Sequence, residues 1–161
     1  MHKLLLILVI LISFQPVSAQ FLSGEKEVDK YEGFFDFHYQ QSTGKVWLVV
    51  ESLEREFLYV NALSQGLGSN DIGLDRGQLG NGVVVKFIRS GGKLLLVQPN
   101  QSFRAVSKNE KEKQSIEEAF AKSVLYGFEI QETQGSSFLI EITDFLVRDA
   151  HGVAQRLKST G

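Results

Sequence analysis

Short apolar runs bounded by turn residues fill most of the chain, and a helical period appears in only two places. Gly33 to Tyr39 is rich in aromatics, and Gln41-Ser-Thr-Gly44 supplies turn chemistry. Lys45 to Val50 is apolar on both faces, as in a strand buried from two sides. Leu53 to Glu56 predicts the next turn and Phe57 to Val60 a third strand. Val83 to Arg89 and Lys93 to Val97 flank Ser90-Gly91-Gly92, whose glycines accept the positive φ of a two-residue hairpin turn. Pro99 has no amide hydrogen for a ladder, so the strand is expected to end or become an edge there, and extended chain to resume through Phe103 to Val106. Ser107-Lys-Asn-Glu110 has the form of a capping box and opens a helix over about 108–125. Its stripe of Ile116, Ala119, Phe120 and Val124 is expected to be buried. Phe128 to Glu132 and Phe138 to Thr143 form another hairpin around Gln134-Gly135-Ser136. Asp144 then caps a last helix over about 145–158, with Gly152 a point where it can break.

The fold class that follows is α+β, mainly β: antiparallel hairpins forming a curved sheet or a sandwich, with two helices. Between the third and fourth strands lies a glycine-spaced segment, Asn61 to Gly80. Gly66, Gly68, Gly73, Gly77 and Gly80 alternate there with Leu67, Ile72, Leu74 and Leu79. A flexible linker would carry Gly and Ser without large apolar residues, so this loop is expected to pack.

The first residues change the picture of where the protein works. Lys3, the apolar run from Leu4 to Phe14 and the small residues Val17-Ser18-Ala19 read as a secretory signal cleaved after Ala19. The run is well short of the roughly 20 apolar residues a spanning helix needs, and no second one follows. The mature protein is therefore expected in the periplasm or outside the cell, not in the membrane. Residues 20–30 are mostly polar and read as a mobile lead-in, and 31–161 as a single β-rich domain beginning near Tyr31. Lys158-Ser-Thr-Gly161 carries no closing punctuation, which suggests the N-terminal part of a longer protein. There is no cysteine, hence no disulfide framework. Loss of Lys3 with the signal takes the net charge from −2 to −3, with no basic block, so nucleic acid and anionic lipid are not expected partners.

Catalytic zinc needs about three protein ligands and an open position, and no HExxH helix supplies them. Once His2 leaves with the signal, His38 and His151 remain, in different elements and without ligand spacing. A composite of the two with a carboxylate is the weaker reading, and His38 in its aromatic strand reads as a structural histidine. No G-x-S-x-G elbow is present. Asp149 and His151, two apart, would point to different sides of a helix. Arg148, Asp149 and His151 therefore read either as a polar helix face or as contacts that bond another domain or frame a cleft. In the glycine segment the polar points are Asn70, Asp71, Asp75 and Arg76. The P-loop lysine and the EF-hand order are both missing there. A structural role with Asp75 and Arg76 pairing locally stands beside one in interdomain or substrate contact. No cofactor site is assigned to this chain.

A set of segments in order along the chain resembles the N-terminal β-rich region, a domain of unknown function, of secreted bacterial zinc-dependent metallopeptidases. They include Tyr31-Glu-Gly-Phe-Phe-Asp-Phe37, Thr43-Gly-Lys-Val-Trp-Leu48, Glu56-Phe-Leu-Tyr-Val-Asn61 and Gly66 to Gly77. Leu94 to Asn100, Phe120 to Phe128 and Thr143 to Gly152 complete the set, which spans roughly Tyr31 to Leu157. The resemblance implies a precursor whose downstream HExxH domain binds zinc and hydrolyses peptide bonds. It implies as partners that catalytic domain and a peptide or protein substrate, and a fragment inactive by itself. A free-standing extracellular protein-binding module is the alternative, and a small hydrolase with an unrecognised site a further one.

Overall fold

The computed structural model describes residues 21–66, 72–101, 103, 106–120 and 122–160. The signal segment, Asn70 and Asp71 lie outside the described residues. The strands are β1 (Val28–Tyr31), β2 (Phe37–Gln40), β3 (Lys45–Val50), β4 (Phe57–Tyr59), β5 (Val83–Ser90), β6 (Lys93–Gln98), β7 (Ser123–Gln134) and β8 (Ser137–Glu141). The helices are α1 (Glu110–Ala119), α2 (Thr143–Val147) and α3 (Val153–Thr160). All strand pairs are antiparallel, in one curled half-barrel sheet ordered β1-β2-β3-β8-β7-β6-β5-β4. The mainly β class is as expected, realised as a curved sheet rather than a sandwich.

The curl follows from which faces are apolar. Val46, Leu48 and Val50 of β3 face the concave side, with Val85, Phe87, Leu94, Leu96, Phe128, Phe138 and Ile140. Phe35, just before β2, meets Phe57 of β4 and Phe87 of β5 at ring-centroid distances of 5.0 and 5.9 Å. Elements from opposite ends of the strand order thus touch, and water is excluded between them. Each fully buried aliphatic side chain there contributes about 1.5–3 kcal/mol. Register shifts at Leu96/Val97 and Ile130/Glu132 add local twist to the long central strand β7. Trp47, Val49 and Leu139 face the other way and are covered by Phe21 and Leu22, which explains why β3 is apolar on both sides. His38, opposite Trp47 in register, is buried on β2, and that burial holds its imidazole pKa below the ordinary value.

Several boundaries differ from the expectation. The sheet begins at Val28, because Val28 to Tyr31 pairs with Phe37 to Gln40. The first helix covers 110–119 rather than 108–125, since Ser123 and Val124 pair with Gln98 and Val97 as the start of β7. Its cap is Asn109, whose side chain accepts from the Lys111 amide, while Ser107 accepts from the Asn109 amide. The expected stripe is not buried: Ile116 and Phe120 are half-buried, and Ala119 and Val124 are exposed. The helix leans on Phe103, stacked on Phe120 at 4.0 Å, rather than on the core. The final helix of 145–158 is two, split at 148–152, where Arg148 is extended and Gly152 has φ +66°. Asp144 lies inside α2 and makes no cap; Ile142 holds that position without a side-chain bond.

Antiparallel register sorts the connections to the two ends of the sheet. At one end are the turns at 91–92 and 135–136 and the segments 32–36 and 51–56. At the other end are the long connections 60–82 and 99–122 and the helices after β8.

Candidate functional site

β4 leaves the sheet at Tyr59, and the chain stays extended into the glycine segment. The Gly80 amide donates to the Asn61 carbonyl at 2.8 Å, the Leu63 amide to Gln78 at 2.9 Å, and the Gly77 amide to Leu63 at 2.8 Å. Gly80 leaves room for the Asn61 side chain, which a Cβ there would overlap. Leu74 in the middle of the segment is 1 % exposed, so the loop packs as its hydrophobes implied. Arg156 of α3 fastens it by donating to the Gly73 carbonyl at 2.7 Å. Asp75 and Arg76 lie on an exposed turn closed by Gln78, whose amide donates to the Asp75 carbonyl at 3.1 Å. The expected local pairing does not occur: among the described residues no ion pair joins Asp75 to Arg76, and each side chain faces water.

Arg148, Asp149 and His151 come together with this segment. They line a groove of about 370 Å³ whose facing walls are Tyr59 to Ser64 and Phe145 to Val153. Because the helix breaks at 148–152, Asp149 and His151 are not on opposite helix sides as their spacing suggested. Arg148 donates to the Tyr59 hydroxyl at 3.0 Å and lies 3.9 Å over the Phe145 ring, which ties α2 to β4. Both oxygens of Asp149 cap α3, accepting from the Ala154 amide at 2.9 Å and the Val153 amide at 2.8 Å. Those amides hold its carboxyl pKa below the usual carboxylate range. The His151 Nε2 is buried and has no hydrogen-bond partner among the described residues.

Arg148 and Asp149 are committed to the fold, and no described group of three His, Cys, Asp or Glu side chains could hold a metal ion. His38, on β2, is not among the groove's lining residues. The described residues of the groove therefore do not make up a zinc ligand set. Sequence reasoning missed the wall Val60 to Ser64 and the Tyr59 and Arg156 anchors. The only signal was that a strand-like run ends in the glycine segment.

One wall of the groove, residues 145–153, lies in the second half of the chain, and that half matches a family model described as a domain of unknown function, DUF5117, over residues 77–161; the wall of residues 59–64 precedes the match. The chain belongs to the DUF5117 family. The DUF5117 match runs from the exposed turn through β5 and on to the helices, so it includes the wall formed by residues 145–153. No curated protein and no solved structure matched the chain. Among the described residues no helix is long and apolar enough to cross a membrane.

Proposed function

We propose that this chain is the non-catalytic N-terminal region of a secreted zinc-dependent metallopeptidase, which packs against the catalytic domain and shapes its cleft. The ordered likeness from Tyr31 to Leu157 supports the family of the parent enzyme. The observation that carries the packing role is the uneven distribution of exposed apolar side chains. Leu79, Phe103, Val106, Val147 and Leu157 are 43–102 % exposed and belong to the connections and helices at one end of the sheet, against Tyr31 and Phe34, 45 and 62 % exposed, at the other. Apolar residues gathered in this way are the usual mark of a surface that another domain covers. Zinc would be held by the downstream domain and would activate the water that attacks the peptide bond there.

The test uses the whole polypeptide encoded by the reading frame that contains this chain. An HExxH helix downstream, bound zinc and peptidase activity are expected, with mature protein starting at Gln20. Replacing Asp75 and Arg76 together by alanine on the exposed turn is expected to lower kcat/KM without loss of zinc. A stop codon directly after Gly161, or zinc and turnover retained by residues 20–161 alone, would overturn the assignment. A stop codon would favour the free-standing binding module.

A further inference from the structure

The two edges of the sheet differ in a way that the packing role does not explain. β1, at one edge, carries Asp29 and Lys30, and Lys30 is paired with Glu32 and Asp36, each at 3.1 Å. Charges at an edge discourage a further strand from pairing. The other edge runs from β4 through Ser64 and has no charged side chain between Phe57 and Ser64. Its inward hydrogen bonds are made by Asn61 and Leu63, with Gly80, Gln78 and Gly77. In an extended chain the alternate residues must then turn their backbone groups the other way. Val60, Ala62 and Ser64 have no backbone hydrogen-bond partner among the described residues, and all three line the groove.

We infer that the groove between Val60–Ser64 and Phe145–Val153 binds an extended peptide from another polypeptide by strand addition. The free amides and carbonyls at Val60, Ala62 and Ser64 recur every two residues, about 7 Å apart, and a β-strand presents matching groups at that interval. The opposite wall offers Phe145, Leu146 and Val153 to the alternate side chains of the guest. A neutral peptide of apolar and β-branched residues fits both walls. The groove is of the size that takes a short segment rather than a domain. The inference goes beyond the metallopeptidase reading and stands without it.

Titration of the protein with a capped peptide of about six residues, alternating valine and threonine, tests this through backbone amide resonances. Saturable shifts are expected within 60–64 and 145–153, with slowed exchange at Val60, Ala62 and Ser64. N-methylating the peptide at one set of alternate amides should weaken binding about tenfold, and at the other set leave it unchanged. Leu146 is 55 % exposed, so Leu146→Asp should keep the fold while weakening binding about tenfold. No saturation by about 1 mM peptide, or equal binding of both N-methylated peptides, would overturn the inference. So would protection of Val60 to Ser64 by self-association alone, which would make a second copy of the chain the occupant.

Discussion

The two ends of the curled sheet are built on opposite principles. At the end with tight turns, Phe35, Phe57 and Phe87 lock together at centroid distances of 5.0, 5.6 and 5.9 Å, and Arg55 covers Phe34 at 4.9 Å. At the other end, polar and backbone contacts hold long connections in place: Arg148 on Tyr59, Arg156 on Gly73, and Asp149 on the start of α3. The first arrangement excludes water between Phe35, Phe57 and Phe87 and gains from buried area, while Phe34 beside them stays 62 % exposed. The second leaves apolar side chains exposed and aims hydrogen bonds at the shape of a groove. Buried packing is thus concentrated at one end and the groove at the other, and a local opening of the second end need not melt the first.

The contrast breaks most visibly if the aromatic end is emptied. Phe87 is 3 % exposed and contacts the rings of Phe35, Phe57 and Phe128. Phe87→Ala is expected to cost about 3–5 kcal/mol in denaturant unfolding. Leu146→Ala at the open end should fall within about 0.5 kcal/mol of the wild type. Comparable losses in the two variants would mean that the ends share the load.

A smaller and more local effect is expected in the glycine segment. A Cβ at Gly66 would lie 2.6 Å from the Arg76 amide nitrogen and 3.1 Å from the Leu74 carbonyl oxygen, so backbone must move. Gly66→Ala should cost about 1–3 kcal/mol, the usual penalty of overpacking. Hydrogen exchange should speed up at the Leu63 and Gly77 amides and stay slow in β3 and β8. Uniform acceleration across the sheet would show that the segment is part of the core rather than an attachment to it.

Most of the closed end was legible in the sequence, because its signals are local. Gly91-Gly92 set a turn with Ser90 opposite Lys93. The apolar faces of β3 stated that it lies inside. The open end was less legible because its structure depends on partners far along the chain. Ser123 and Val124 look helical until Gln98 and Val97 are beside them, and Val28 to Lys30 look like a polar tail until β2 pairs with them. Arg148, Asp149 and His151 were legible only as polar residues near one another in sequence; that they line a groove depends on Tyr59 to Ser64 lying opposite them. The wall opposite them could not be read: a free backbone amide at Ala62 has no letter of its own.

The smallest expected effect separates the capping of α3 from the groove it helps to build. The carboxyl of Asp149 is lowered by accepting from the Ala154, Val153 and Gly152 amides, with the nearby His151 adding to the effect. In the unfolded chain that carboxyl titrates near its ordinary value of about 3.9, so below that pH the unfolded state takes up the proton first. The stabilisation it gives is complete above that value and is lost as pH falls through the lower folded pKa. Asp149→Ala should therefore loosen α3 at neutral pH by less than Gly66→Ala perturbs the glycine segment. Its exchange rates at Val153 and Ala154 should converge with those of the wild type in acid, once intrinsic rates are allowed for. Asp149→Asn keeps a side-chain oxygen as acceptor and removes the charge, so it should lie between the two without this acid-dependent step. If all three proteins lost α3 at the same pH, the cap would not be what holds the groove's second wall, and the Arg156 bond to Gly73 would take its place.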